Sequence, residues 1–235
     1  MDDPMMCKKL PSGMTLRIYR DESPESPRGW SNVGEMYGWH RKYGSPDKLP
    51  NRNTSLWDVL AAHVPELRND GESLAERHTV REAIQLANDG GEALVLPLFM
   101  HDHGSVGLSH TNCSIFTDPW DSGLFGIHLL ARNRAFEEFM GVTVENWRER
   151  ARKVLDSELN EYQLYLDGQV WGFVVTDPKT GERMDSCWSF YGRLDEDLIR
   201  QMAEHWDKAD QLPEGQRYED LPDAQICEKC GRATA

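Results

Sequence analysis

Apolar and polar residues alternate over residues 14–19, which is the period of a half-buried strand. Residues 20–54 then lose any period. Pro, Ser, Gly, Asn and charge dominate there, as in Asp21-Glu22-Ser23-Pro24-Glu25-Ser26-Pro27-Arg28 and Tyr43-Gly44-Ser45-Pro46-Asp47. A loop region of that length is seldom idle in a compact domain, and its Trp30 and Trp39 imply that it packs onto something. Residues 55–67 set Leu56, Val59, Leu60 and Val64 at helical spacing. Thr79 suits the N-cap of a helix reaching Ala87, and Asn88-Asp89-Gly90-Gly91 stops it. Residues 93–100 are a continuous apolar run and predict a central strand. His103-Gly104-Ser105 turns into a second strand over 106–110, and residues 124–130 predict a third.

The longest helix is expected after Thr143 as its cap. Val144, Trp147, Ala151, Val154, Leu155, Tyr162 and Tyr165 share one stripe of it, and Gly168 ends it. Glu158 falls on that same stripe. Residues 169–176 and 182–191 predict a hairpin around Asp177-Pro178-Lys179-Thr180-Gly181, and residues 194–206 a last amphipathic helix. The expected fold is α+β, a mostly antiparallel sheet with helices packed on it. That domain covers residues 14–193, and an acidic C-terminal helix and CxxC tail cover 194–235.

Composition changes the picture in three ways. Of 235 residues, 39% are hydrophobic and 28% charged, enough apolar material for a core and too much for a disordered chain. The longest apolar run has eight residues, whereas a membrane helix needs about 20, so no membrane partner is expected. The net charge is −14, which repels phosphates and argues against direct nucleic-acid binding. Residues 195–223 hold ten acids against three bases, a net of −7 and half of the total. Such a block is a solvated face or a surface suited to a basic partner.

The five cysteines are odd in number, and Met1-Asp2-Asp3-Pro4 is unlike a secretory signal. Free thiols in a reducing cytosol are therefore expected. Cys227 and Cys230 form one CxxC. The plainer reading is a solvated tail, because a structural zinc site needs two more ligands. A zinc knuckle completed by a distant His or a second chain is the alternative, and no other cofactor is expected. Walker, GxGxxG, HExxH and GxSxG motifs are absent.

Several segments together resemble a widespread family of bacteriophage proteins of uncharacterised activity, also found on related mobile elements. They are Tyr19-Arg20-Asp21, Ser26-Pro27-Arg28, Asn32 and Trp39-His40-Arg41, then Leu96-Pro97-Leu98, Asp102-His103 and Pro119-Trp120-Asp121-Ser122-Gly123. Tyr165-Leu166-Asp167-Gly168, Val170-Trp171-Gly172-Phe173 and Asp185-Ser186-Cys187-Trp188-Ser189-Phe190-Tyr191-Gly192 complete the set. The resemblance spans residues 14–192 and leaves the CxxC tail outside. It leads to Tyr at position 101 and Gly at 189, where this chain has His101 and Ser189. It implies a phage setting rather than a mechanism.

Four constellations are candidates for chemistry. Cys187 with His103 or His40 would be a thiol–imidazole pair, with Asp102, Asp121 or Asp185 orienting the ring. The plainer reading is a buried inert cysteine. His101, His103, His110 and Cys113 would offer metal ligands, or else a polar strand end with Asp102 organising the turn. Trp120, Asp121 and Ser122 would form a ligand loop, or simply a well-defined turn. Glu158 needs a partner if buried: Arg28, Arg41 or a histidine in an ion pair, or else a raised pKa in a pocket. The leading expectation is an acidic phage accessory protein, acting in the host cytoplasm on a host protein with a basic surface. A Cys/His-dependent hydrolase or transferase, and a virion or structural component, are the alternatives.

Overall fold

A computed structural model of the protein describes residues 3–30, 32–67, 70–111, 122–204 and 206. In chain order the strands are β1 (Met6–Lys9), β2 (Thr15–Arg20), β3 (Glu35–Gly38), β4 (Ala93–Asp102), β5 (Val106–Ser109), β6 (Ser122–Ala131), β7 (Val170–Thr176) and β8 (Arg183–Tyr191). The helices are α1 (Leu56–Ala61), α2 (Gly71–Arg77), α3 (Val80–Asp89), α4 (Arg132–Glu138), α5 (Trp147–Leu166) and α6 (Glu196–Ala203). The α+β class is as expected, but there are two four-stranded antiparallel sheets, ordered β1-β2-β7-β8 and β3-β6-β4-β5. Contacts group Met1–Glu25 with Gly168–Ala235 in one unit, and Ser26–Asp167 in another. That grouping differs from the 14–193 and 194–235 division drawn from charge, because β2 pairs with β7, far along the chain.

In the first unit, alternate residues of β2 and β7 (Leu16, Ile18, Trp171, Phe173 and Val175) face one way. Leu198, Ile199 and Met202 of α6 close over them. Asp195 caps that helix, accepting from the Leu198 N–H at 3.1 Å. The β7–β8 hairpin turns at Gly181, which has φ +73°. Its ladder shifts register between Trp171 and Phe173, where β8 runs from Phe190 to Cys187. Ser189 lies inside this bulge at φ +67°, a conformation that disfavours side chains.

The second unit covers its sheet on both faces, which is why β4 reads as a continuous apolar run and β6 is apolar but for His128 over residues 124–130. Ala93, Val95, Ile127 and Leu129 meet α1, α2 and α3. Leu96 and Leu130 meet α4 and α5 through Ala135, Trp147, Ala151 and Leu155, while Leu98 and Phe125 meet Leu159 farther along α5. Ser55 and Thr79 cap α1 and α3 with reciprocal capping boxes. Thr143 does not cap α5: the N-cap residue is Asn146, whose Oδ1 accepts from the Thr143 N–H at 2.8 Å, and Val144 is exposed. Strand β3 lies inside the expected loop, and α2 and α4 were not anticipated from the pattern. Trp39 donates to the Thr54 carbonyl and packs on the α1–α3 core, but Trp30 is exposed.

Ser189→Gly is expected to raise stability by about 1 kcal/mol, by removing the strained side chain from a positive φ. Thermal denaturation measures it. A lower melting temperature would show that Ser189 is not held in that conformation.

Candidate functional site

Arg28 sits just after Ser26, whose Oγ accepts the Arg28 N–H at 3.3 Å and starts a short 3₁₀ turn. The Arg28 side chain is only 2% exposed, and its fork has five donors. Nε and Nη2 donate to Asp47 at 2.9 and 2.6 Å. Nη1 donates to Glu158 Oε2 at 2.8 Å and to Asn32 Oδ1 at 3.1 Å, and Nη2 also reaches the Gly34 carbonyl at 2.8 Å. Glu158 Oε1 accepts from the Val33 and Gly34 N–H groups at 2.8 and 3.1 Å. Asp47 Oδ2 accepts from the Met36 N–H at 2.6 Å. One cation thus pins residues 26–47 to α5. The expected Glu158–Arg28 pair is present, and the raised-pKa alternative is overturned. Burial works against the charge, but hydrogen bonds from His128, Arg28 and the two backbone amides hold the carboxyl at about 2.

A chain of hydrogen bonds continues from Glu158. Its Oε2 lies 3.3 Å from His128 Nε2, His128 Nδ1 lies 3.0 Å from His110 Nε2, and His110 Nδ1 lies 2.8 Å from Asp156 Oδ1. Arg152 donates to the same Asp156 carboxylate. Burial pushes His110 down to about 4 against the pull of Asp156, and pushes His128 down against Glu158. Both rings are therefore neutral at pH 7 and carry one proton each. Three links then share two protons.

A second cluster lies at the end of β4 and β6. His40, Asp102 and Ser122 line one cleft of about 320 Å³, with Arg41 and Lys42. Asp102 does not orient an imidazole. It accepts from Lys42 Nζ and the Tyr43 hydroxyl, each at 2.9 Å, and these bonds lower its pKa. His40 stacks on Tyr43 with ring centroids 5.3 Å apart, and its Nδ1 accepts from the Lys42 N–H. His101 Nδ1 lies 3.0 Å from Ser122 Oγ, and the two residues are register partners across β4 and β6. The His103 ring stacks on His101 at 6.1 Å.

Cys187 belongs to the first unit's sheet, whereas His40, Asp102 and His103 belong to the second unit. The thiol–imidazole pair therefore has no support within either unit. Cys187 is also exposed, not buried, because β8 is an edge strand. Trp120, Asp121 and Cys113, and the zinc candidates Cys227 and Cys230, lie outside the described residues. Among the described residues no group of three or more His, Cys, Asp or Glu is placed to hold a metal ion, and no helix is long and apolar enough to cross a membrane. His128, Asp47 and Asp156 escaped the sequence reading as site residues, and His110, expected as a metal ligand, instead bonds His128 and Asp156. Only His128 carried a signal, as a polar residue inside an apolar strand. Comparison with family models, curated proteins and solved structures finds no match for the chain.

Glu158→Ala is expected to destabilise the protein by about 3–5 kcal/mol, since Arg28 stays buried with half its countercharge removed. Chemical denaturation checks it, and a loss below about 1 kcal/mol would show that solvent reaches Arg28. The pH dependence has a definite sign. His110 and Glu158 both bind protons less readily folded than unfolded. Stability is full above about pH 6.5. It falls toward about pH 4 as the unfolded-state imidazoles charge, and again from about pH 4.5 toward 2 as the unfolded-state Glu158 takes a proton. His110→Gln should make the first limb shallower. Urea midpoints between pH 7 and 4 measure this, and an unchanged slope would contradict the burial of His110.

Proposed function

We propose that this is a phage-encoded acidic accessory protein that acts in the host cytoplasm by binding a host protein with a basic surface, a DNA-binding or defence factor. The charge distribution carries the reading: −14 overall, with −7 in residues 195–223. Carboxylates at that density offer a groove built for phosphates an alternative ligand, and complementary charge speeds encounter.

The described residues add support. Burial of Leu198, Ile199 and Met202 turns Glu196 and Asp197 of α6 outward, and the Asp197 side chain is 86% exposed. Asp58, Asp70 and Glu82 are held below the usual carboxylate range by the N–H groups of Ser55, Ser73 and Thr79. They stay ionised in mild acid. Arg28 is consumed internally and adds little to the surface potential.

The test is capture of proteins from a host lysate on the immobilised full chain, followed by binding of the purified retained protein. A basic partner is expected, with Kd weakening about tenfold or more between about 50 and 300 mM salt. Glu196→Gln with Asp197→Asn should weaken it further at low salt. Asp195 is left intact because it caps α6. Failure to retain any basic protein, or a salt-independent Kd, would falsify the proposal.

A further inference from the structure

The first unit carries an open cleft of about 390 Å³, to which Tyr19 of β2 and Trp188 of β8 both contribute. These two strands are not neighbours, because β7 runs between them. Trp188 spans the gap by lying over Gly172, the β7 residue in register with Tyr19. A Cβ at Gly172 would overlap the indole. The Tyr19 and Trp188 ring centroids are 6.3 Å apart with planes tilted by 37°. Met5 completes the apolar part of the cleft. Asp3, Asp21 and Glu22 also line it, against one cation, Arg20, whose guanidinium lies 5.5 Å over the Trp171 ring.

A single exposed tryptophan needs no explanation. Here three local sacrifices converge on one: a register shift, a serine at φ +67°, and a strand glycine without which the indole would not fit. Each weakens the sheet on its own. Together they leave Trp188 39% exposed beside Tyr19, in a cleft whose charged lining is mainly acidic.

We infer that this cleft seats an arginine or lysine side chain of a basic partner protein. The inference rests on the binding reading above and names where that partner is gripped. Aromatic faces attract a cation through their quadrupole, the carboxylates add attraction, and the same carboxylates repel phosphate and carboxylate ligands.

The test follows the Trp188 indole N–H resonance of the full chain in ¹H–¹⁵N spectra, identified by its loss in Trp188→Phe. Ethylguanidinium and ethylammonium should move it saturably, and neutral N-ethylurea should not. Asp21→Asn with Glu22→Gln should weaken the response about threefold. Trp188→Phe should weaken binding of the retained basic protein by a similar factor. An indole that no cation moves, or that urea moves equally, overturns the cation site even if a basic protein is retained. A saturable cation shift with no retained protein keeps the site and removes the binding reading.

Discussion

Arg28 is the interaction on which the second unit depends. A guanidinium with a side chain 2% exposed is tolerable only if its charge is compensated and its five donors are used. Asp47 and Glu158 supply the charge, and Asn32 and the Gly34 carbonyl take the remaining donors. The consequences run outward. Met36 and Tyr37 anchor residues 26–47 in the apolar core, and this polar cluster ties down the backbone on either side of them. Once Val33, Gly34 and Met36 are tied to Glu158 and Asp47, β3 lies in register along β6. Gly34 has no substitute, because a Cβ there would fall within 3 Å of His128 Nε2 and Glu158 Oε2. Breaking such a pair costs about 3–5 kcal/mol, a large share of the 5–15 kcal/mol that holds a typical domain.

The same network explains how histidines come to lie inside the fold. His128 replaces an apolar residue on the α5-facing side of β6 and is fully buried. It is tolerated because Glu158 and His110 flank it. His110, in turn, reaches Asp156, whose side chain is about half exposed and paired with Arg152. The chain therefore leads from a buried cation to the protein surface through neutral rings. Burial keeps those rings uncharged, so Arg28 is the cation that Glu158 and Asp47 share. A proton added to His128 would place a second positive charge beside Arg28.

What the sequence made legible follows from the range of each interaction. Short-range signals were readable: capping at Ser55 and Thr79, the apolar run of β4, the turn at Gly181, the stripe of α5. Glu158 was readable too, because a carboxylate on an apolar stripe demands a partner and Arg28 was among the few available. Long-range pairing was not. Nothing local says that β2 joins β7, so two sheets merged into one expected sheet. Strand β3 was hidden because its Glu35-Met36-Tyr37-Gly38 is held by Asp47 and β6 rather than by its own pattern. Thr143 misled because Asn146, three residues on, is equally suited to begin a helix. His110 was legible only as a possible metal ligand, since its burial against His128 depends on β5, β6 and α5 meeting.

The polar groups of the two units differ in what they accomplish for the fold. Among the described residues, buried side-chain nitrogen and oxygen atoms have partners apart from Ser12 Oγ. The Arg28 cluster is of that satisfied kind. Every member answers another, and folding itself is sufficient reason for it. The bulge in β8 is different. Ser189 is strained, Gly172 gives up a side chain in a strand, and the resulting Trp188 position buries less apolar surface than an inward-facing tryptophan would. What the bulge gains inside the sheet is the contact of Trp188 with Gly172 and Tyr19, in a position left 39% exposed. Interactions that are complete within the fold are explained by stability, whereas a local loss kept without an internal gain points outward, toward what the surface meets. By that criterion the buried ion pair is scaffold, and the exposed aromatic pair on the first unit is the feature that stability alone does not account for.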